Sequence, residues 1–163
     1  MLHLIPAPLH RRLYRIAYLV RSTWWRMAKP TIHGCRVVAL DEQDRVLLIR
    51  QTYGSRDWLT PGGSVGRGED PVGTAHRELC EETGCTLEQS RKVAQVLERP
   101  MDAYNVVHVV VGRAGGVLRP DRRKVDDAQW FALDALPPDI GAHIARGLHD
   151  WVAAWRAGHS SES

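Results

Sequence analysis

The apolar positions of this chain change period several times, and each change marks an element. Leu9, Leu13, Ile16, Val20, Trp24 and Met27 recur every three or four residues, the spacing of one helix face, with Arg12, Arg15 and Arg26 on the other side. Pro6 and Pro8 precede this stretch and Pro30 ends it, so residues 1–29 read as an amphipathic helical extension. Residues 32–40 read as a strand, 41–44 as a turn and 45–51 as a second strand, which together predict a hairpin. A loop over 52–57, a short strand over 58–60 and a glycine-rich loop over 62–68 follow. Asp70 then caps a helix that begins at Pro71, runs to Thr83 and stops at Gly84.

Segments 93–99 and 104–113 are β-rich, and the run N-V-V-H-V-V-V-G in the second reads as a buried strand. Residues 121–124 form a charged loop and 128–133 a last strand. Pro137-Pro138 introduces a final helix over 140–157, and 158–163 read as a disordered tail. This order predicts an α/β fold, a mixed sheet with helices on its faces, carrying an extra N-terminal helix. Residues 30–157 form the expected main domain.

Charge sharpens the division. Six of the 22 basic residues lie in 1–29, where there is no acid, so the remainder holds 16 basic against 19 acidic residues. The basic character therefore belongs to the extension. The mildly acidic body does not suggest a nucleic-acid polymer as partner. A basic amphipathic stripe fits three settings: packing on its own domain, an anionic membrane surface, or a homodimer or partner contact through residues 9–27. No run approaches the ~20 apolar residues of a membrane-spanning helix. Arg11, Arg12 and Arg15 interrupt any secretory signal. Three cysteines, Cys35, Cys80 and Cys85, without C-x-x-C spacing favour a reducing compartment and inert thiols, so a cytoplasmic setting is expected.

The candidate chemistry sits in residues 69–82. Glu78, Glu81 and Glu82 share one sector of about 100° on the predicted helix, over roughly 6 Å of rise. Like charges at this spacing destabilise a helix. An acidic face is ordinarily only a solvated face, but clustered hard oxygens are also what Mg²⁺ or Mn²⁺ requires. Pro61-Gly62-Gly63 just upstream lets bare backbone approach a ligand. Arg77 is placed to hold a neighbouring carboxylate.

Taken together, Gly63, Glu69, Arg77-Glu78-Leu79, Glu81-Glu82, Gly84 and Cys85 resemble the Nudix box, G-x5-E-x7-R-E-U-x-E-E-x-G-U. The last position departs from it, with Cys85 where an aliphatic residue is usual. At average residue frequencies a chance match is on the order of one in 10⁸ per window. Softer likeness extends through Trp58-Leu59-Thr60-Pro61-Gly62-Gly63 to the segment 130–137. The resemblance implies an α/β/α sandwich and a MutT-like hydrolase that uses Mg²⁺, with Mn²⁺ as substitute. The implied reaction is attack of water on a diphosphate joined to a nucleoside, in a nucleotide, ADP-ribose or nucleotide-sugar substrate. It further implies Glu78, Glu81 and Glu82 as principal metal ligands, the Gly63 carbonyl as auxiliary ligand, Glu69 as support and Arg77 as the residue that orients a glutamate. The alternative is a Nudix-fold nucleotide-binding module with weak turnover.

In many Nudix relatives a glutamate lies six residues before the terminal Trp-Phe; here that position is Lys124. Asp102, Asp126 and Asp127 are candidates to replace it as base, beside Glu82 itself. Tyr53, Trp58 and Tyr104 are candidates to stack on a base. Pro100 lies near where ADP-ribose-type relatives carry a proline. No coenzyme A or NADH subfamily pattern is visible, and His33, His76 and His108 are expected to be structural.

Overall fold

The computed structural model describes residues 13, 16–20, 23–24, 31–99 and 104–159. Strands β1 (Thr31–Leu40), β2 (Val46–Gln51), β3 (Gly62–Ser64), β4 (Thr86–Glu98), β5 (Tyr104–Gly115) and β6 (Val125–Phe131) form one sheet. Its order is β4-β5-β1-β2-β6, with β3 paired to β1. Strands β1 and β5 run parallel, the other pairs antiparallel, so the sheet is mixed. Helices α1 (Pro71–Thr83), α2 (Ala142–Ala145) and α3 (Leu148–His159) complete the described elements.

Strand β1 explains why both faces of the sheet are covered. Its last residues are all buried, and alternate side chains point to opposite faces. Cys35, Val37 and Ala39 join Leu47, Val110, Ala75 and Leu79 beneath α1. Val38 and Leu40 join Val109, Val111, Trp151, Val152 and Trp155 beneath α3. The architecture is therefore the expected helix–sheet–helix sandwich.

Several elements differ from the sequence reading. Strand β4 begins at Thr86 rather than 93, and register shifts between Glu88 and Arg91 and between Lys92 and Ala94 break its alternation. Residues 58–60 make only two isolated bridges, Ile49 to Leu59 and Trp58 to Ile140. Part of the expected glycine loop is the strand β3. The last strand starts three residues early, at Val125. The final helix is broken between α2 and α3. Gly147 sits at the break, where a Cβ would lie 2.2 Å from the Trp151 ring. Helix α3 ends at His159, two residues into the expected tail.

In the N-terminal region, residues 13, 16–20 and 23–24 are helical. Leu13, Ile16, Val20 and Trp24 are exposed, so the described part of the apolar stripe does not pack on the domain. The helix meets the body through Tyr18, whose ring centroid lies 5.9 Å from that of Tyr53. Leu9, Arg12, Arg15, Arg26 and Met27, and likewise Pro100 and Asp102, lie outside the described residues. Among the described residues no helix is long and apolar enough to cross a membrane.

Candidate active site

Local signals fix α1 at both ends. The Asp70 carboxylate accepts the Gly73 N–H at 2.9 Å, Pro71 fills the first helical position, and Gly84 closes the helix at φ 74°. Between these caps the buried face carries Thr74, Ala75, Glu78, Leu79, Glu82 and Thr83. Glu78 and Glu82 are therefore one turn apart on the face that packs against the sheet. Glu81 points outward, with its side chain about half exposed. A merely solvated acidic face would show all three to water.

The turn before α1 brings backbone against this buried pair. Strand β3 places Gly62 opposite Arg36 and Gly63 opposite Cys35. A Cβ on Gly63 would fall 2.4 Å from the Glu78 carboxyl carbon, so only glycine allows the approach. The Gly62 N–H donates to Glu82 Oε2 at 3.2 Å. Burial, followed by the neighbouring Glu78 charge, pushes the Glu82 carboxyl up to about 8, against the lowering effect of the Gly62 N–H. Beneath the same spot the Cys35 thiol is pushed up to about 11, chiefly by burial, which keeps it protonated and inert.

Arg77 ties three of the carboxylates together. It donates to Glu78 Oε1 at 2.7 Å and to Glu69 Oε1 at 3.1 Å, and lies 3.6 Å from Glu81 Oε1. Glu69 also accepts the Gly66 N–H at 2.8 Å, and these contacts hold its carboxyl below the usual range. Lys124 enters from the loop before β6, with its ammonium 3.6 Å from Glu78 Oε2 and 3.5 Å from Glu81 Oε2.

Sequence reasoning marked Lys124 only as a departure from a family pattern; its ion pairs depend on the fold. The structure brings Gly63, Glu69, Arg77, Glu78, Glu81 and Glu82 into one neighbourhood. It sends the two nearby aspartates elsewhere. Asp126 Oδ2 lies 3.5 Å from Arg56 Nη1, while Asp127 accepts from the Ala128 N–H and the Gln129 amide.

Of the stacking candidates, Tyr53 lines a cavity of about 270 Å³ together with Arg36, Gly62, Gly63, Asn105 and His143. Trp58 is placed differently. It is core, 5% exposed, with Phe131 edge-on at 5.0 Å and the Arg50 guanidinium 4.5 Å above its ring. Tyr104 stands outside that cavity with the Arg99 guanidinium 4.8 Å from its ring. His33 and His108 stack on each other at 5.9 Å, and His76 bonds Ser90, consistent with structural roles.

The donor set suits a hard divalent cation. Four carboxylates face two cationic side chains, and among the described residues the Glu82 side chain accepts only the backbone N–H of Gly62. Among the described residues no three His, Cys, Asp or Glu groups converge on one point, and Arg77 and Lys124 pair with Glu78 and Glu81. The residues fit the ion in chemistry and charge.

A model of the NUDIX domain matches residues 32–152. The chain is 29% identical over 136 residues to an NAD-capped RNA hydrolase NudC of Pectobacterium carotovorum, covering 82% of this chain and 52% of that protein. It is 29% identical over 100 residues to an ADP-ribose pyrophosphatase of Bacillus subtilis, covering 60% and 54% respectively. The chain thus spans about half the length of the curated relatives it matches. Among solved structures, a MutT NUDIX hydrolase from Burkholderia pseudomallei superposes with a TM-score of 0.65 at 26% identity, covering 73% of this chain and 96% of that one.

Proposed function

Because this chain belongs to the Nudix family, we propose that it is a metal-dependent pyrophosphohydrolase that cleaves the diphosphate of a nucleoside diphosphate joined to a second moiety. The observation that carries this reading is the buried pair Glu78 and Glu82 against the bare backbone of Gly62 and Gly63. Two carboxylates so placed destabilise the fold unless a cation or a proton accompanies them.

Glu78, Glu81 and Glu82 would hold Mg²⁺ or Mn²⁺, with the Gly63 carbonyl as auxiliary ligand and Glu69 in support. The ion supplies neutralisation of the diphosphate and acidification of the attacking water. The chain's own residues do the rest. Arg77 ties the carboxylates of Glu69 and Glu78 together, bonding one oxygen of each. Glu82, its carboxyl raised to about 8, would give up its proton where a cation is held, and one glutamate of the cluster would take the proton of water. The diphosphate lies over this cluster, and the cavity next to Gly62 and Gly63 receives the flanking group. At about 270 Å³ it lies just below the ~300–1,000 Å³ of sites that enclose a drug-sized ligand. It therefore suits one ring system, with Tyr53 as an aromatic wall, and not a whole dinucleotide.

The names of the relatives direct the choice of substrate to adenosine diphosphates joined to a ribosyl group, of the ADP-ribose and NAD kind. The relatives named as hydrolases of capped RNA keep the end of an RNA chain within the class to be tested. A screen of ADP-ribose, NADH, NAD-capped RNA, nucleotide sugars and nucleoside triphosphates with Mg²⁺, read by liquid chromatography of the products, tests the reading. Release of AMP or another nucleoside monophosphate that stops on chelation is the expected result. Absence of turnover on all of them overturns it. A second reading, a nucleotide-binding module with weak turnover, is favoured by one observation, the neutralisation of Glu78 and Glu81 by Arg77 and Lys124. Tight ADP-ribose binding without product in the same screen would select it.

A further inference from the structure

Lys124 is held in place from three directions. Its N–H donates to Asp121 Oδ1 at 2.9 Å, and that same oxygen accepts the N–H groups of Arg123 and Val125. Its carbonyl accepts the Thr52 N–H at 2.9 Å, and the Thr52 hydroxyl bonds the carbonyl of Arg123 at 2.8 Å. The loop itself is clipped to the end of α1: the Arg119 N–H donates to the Thr83 carbonyl and the Asp121 N–H to the Glu82 carbonyl, at 2.7 and 3.1 Å. The side chain is three-quarters buried, and its ammonium approaches oxygens of Glu78 and Glu81 at 3.6 and 3.5 Å.

We propose that Lys124 is a tethered cation of the active site, supplying one positive charge that the glutamate cluster would otherwise draw from solution as metal. This rests on the reading of the cluster as a metal site. Two carboxylate oxygens that face a fixed ammonium have less need of an external ion and repel one that approaches. The site consequently takes up metal more weakly than its four carboxylates alone would dictate. The ammonium also remains beside the cluster as a donor to a phosphate oxygen. A Lys ammonium is a compact charge that serves this end without imposing the planar geometry of a guanidinium.

The test is Mn²⁺ titration of the full chain, followed by loss of the free-ion electron paramagnetic resonance signal, with no substrate present. Lys124→Met should bind Mn²⁺ at least ~10-fold more tightly than the parent, since one unit charge about 4 Å from the ligands is removed. Lys124→Arg, which keeps the charge, should stay near the parent. Arg122→Met removes one charge from the same loop, where Arg122 bonds the Asp126 carbonyl, and should shift affinity by less than a third as much. Thermal melts of each variant confirm that folded protein is compared. Equal affinity of the parent and Lys124→Met, or an equal gain from Arg122→Met, overturns the tethered-cation role while leaving the metal site intact. No uptake by the parent or any variant overturns the metal-site reading, and the role of Lys124 falls with it.

Discussion

Replacing Glu82 by glutamine should stabilise the metal-free chain at high pH and disable the enzyme. Glu82 is 1% exposed, its carboxyl bonds the Gly62 N–H, and its pKa rises from 4.5 to about 8 through burial and then the Glu78 charge. Between those values the folded chain binds a proton that the unfolded chain has released. The stability contributed by this group is therefore fully present below pH 4.5 and is lost as pH rises through 8, after which it stays absent. From pH 6 to 9 the loss spans two units, about 3 kcal/mol at ~1.4 kcal/mol per unit. Glutamine keeps an acceptor for Gly62 and carries no charge, so Glu82→Gln escapes the loss. For a domain of this size each kcal/mol moves Tm by roughly 2–4 °C. Melts in chelator should therefore show the variant gaining at least ~5 °C on the parent between pH 6 and pH 9. Turnover with Mg²⁺ should fall at least ~10²-fold, the scale of lost acid–base help. A Tm difference that is the same at both pH values would refute the buried, titrating carboxylate. Near-parental turnover would refute its role in the reaction.

Gly63→Ala inserts a methyl that would lie 2.4 Å from the Glu78 carboxyl carbon, so Glu78 must move. Mn²⁺ affinity read by resonance titration should drop at least ~10-fold, as expected for displacing a metal-site ligand or its support. Leu79→Ala empties a fully buried position between α1 and the sheet. It should lower stability by roughly 2–5 kcal/mol in urea unfolding while leaving Mn²⁺ affinity near parental below its melting range.

Much of the site was legible because its signals are local. Asp70, Pro71 and Gly84 set the ends of α1 through contacts within a few residues, and the structure reproduces those ends. The buried strand β5 declares itself by its run of valines. Strand β4 did not. Apart from the buried Leu87, its first residues, Thr86 to Lys92, are polar and exposed or half-buried, and two bulges break the period on which sequence reading depends. Gly62 and Gly63 suggested a loop, but their lack of side chains lets β3 lie between β1 and Glu78. Trp58 is equally instructive. An aromatic residue beside a glycine turn fits a base platform, yet Phe131 and Arg50 enclose it only once β2 and β6 have paired.

The motif treats its glutamates as equivalent, and the fold makes them unequal. At 100° per residue, Glu78 and Glu82 must share the face that packs, and Glu81 must leave it. Burial then raises the proton affinity of Glu82, while Arg77 and Lys124 compete for Glu78 and Glu81. The chain thus keeps two buried carboxylates that are compensated differently: burial favours a proton on Glu82, while Arg77 and the tethered Lys124 flank Glu78. On the proposed reading, a divalent ion held by the cluster would displace the proton of Glu82, while the Lys124 ammonium stays beside it. A cluster of fully solvated glutamates would show no such raised proton affinity, and so the burial of Glu82 bears more on the proposed metal role than the number of acids in the box does.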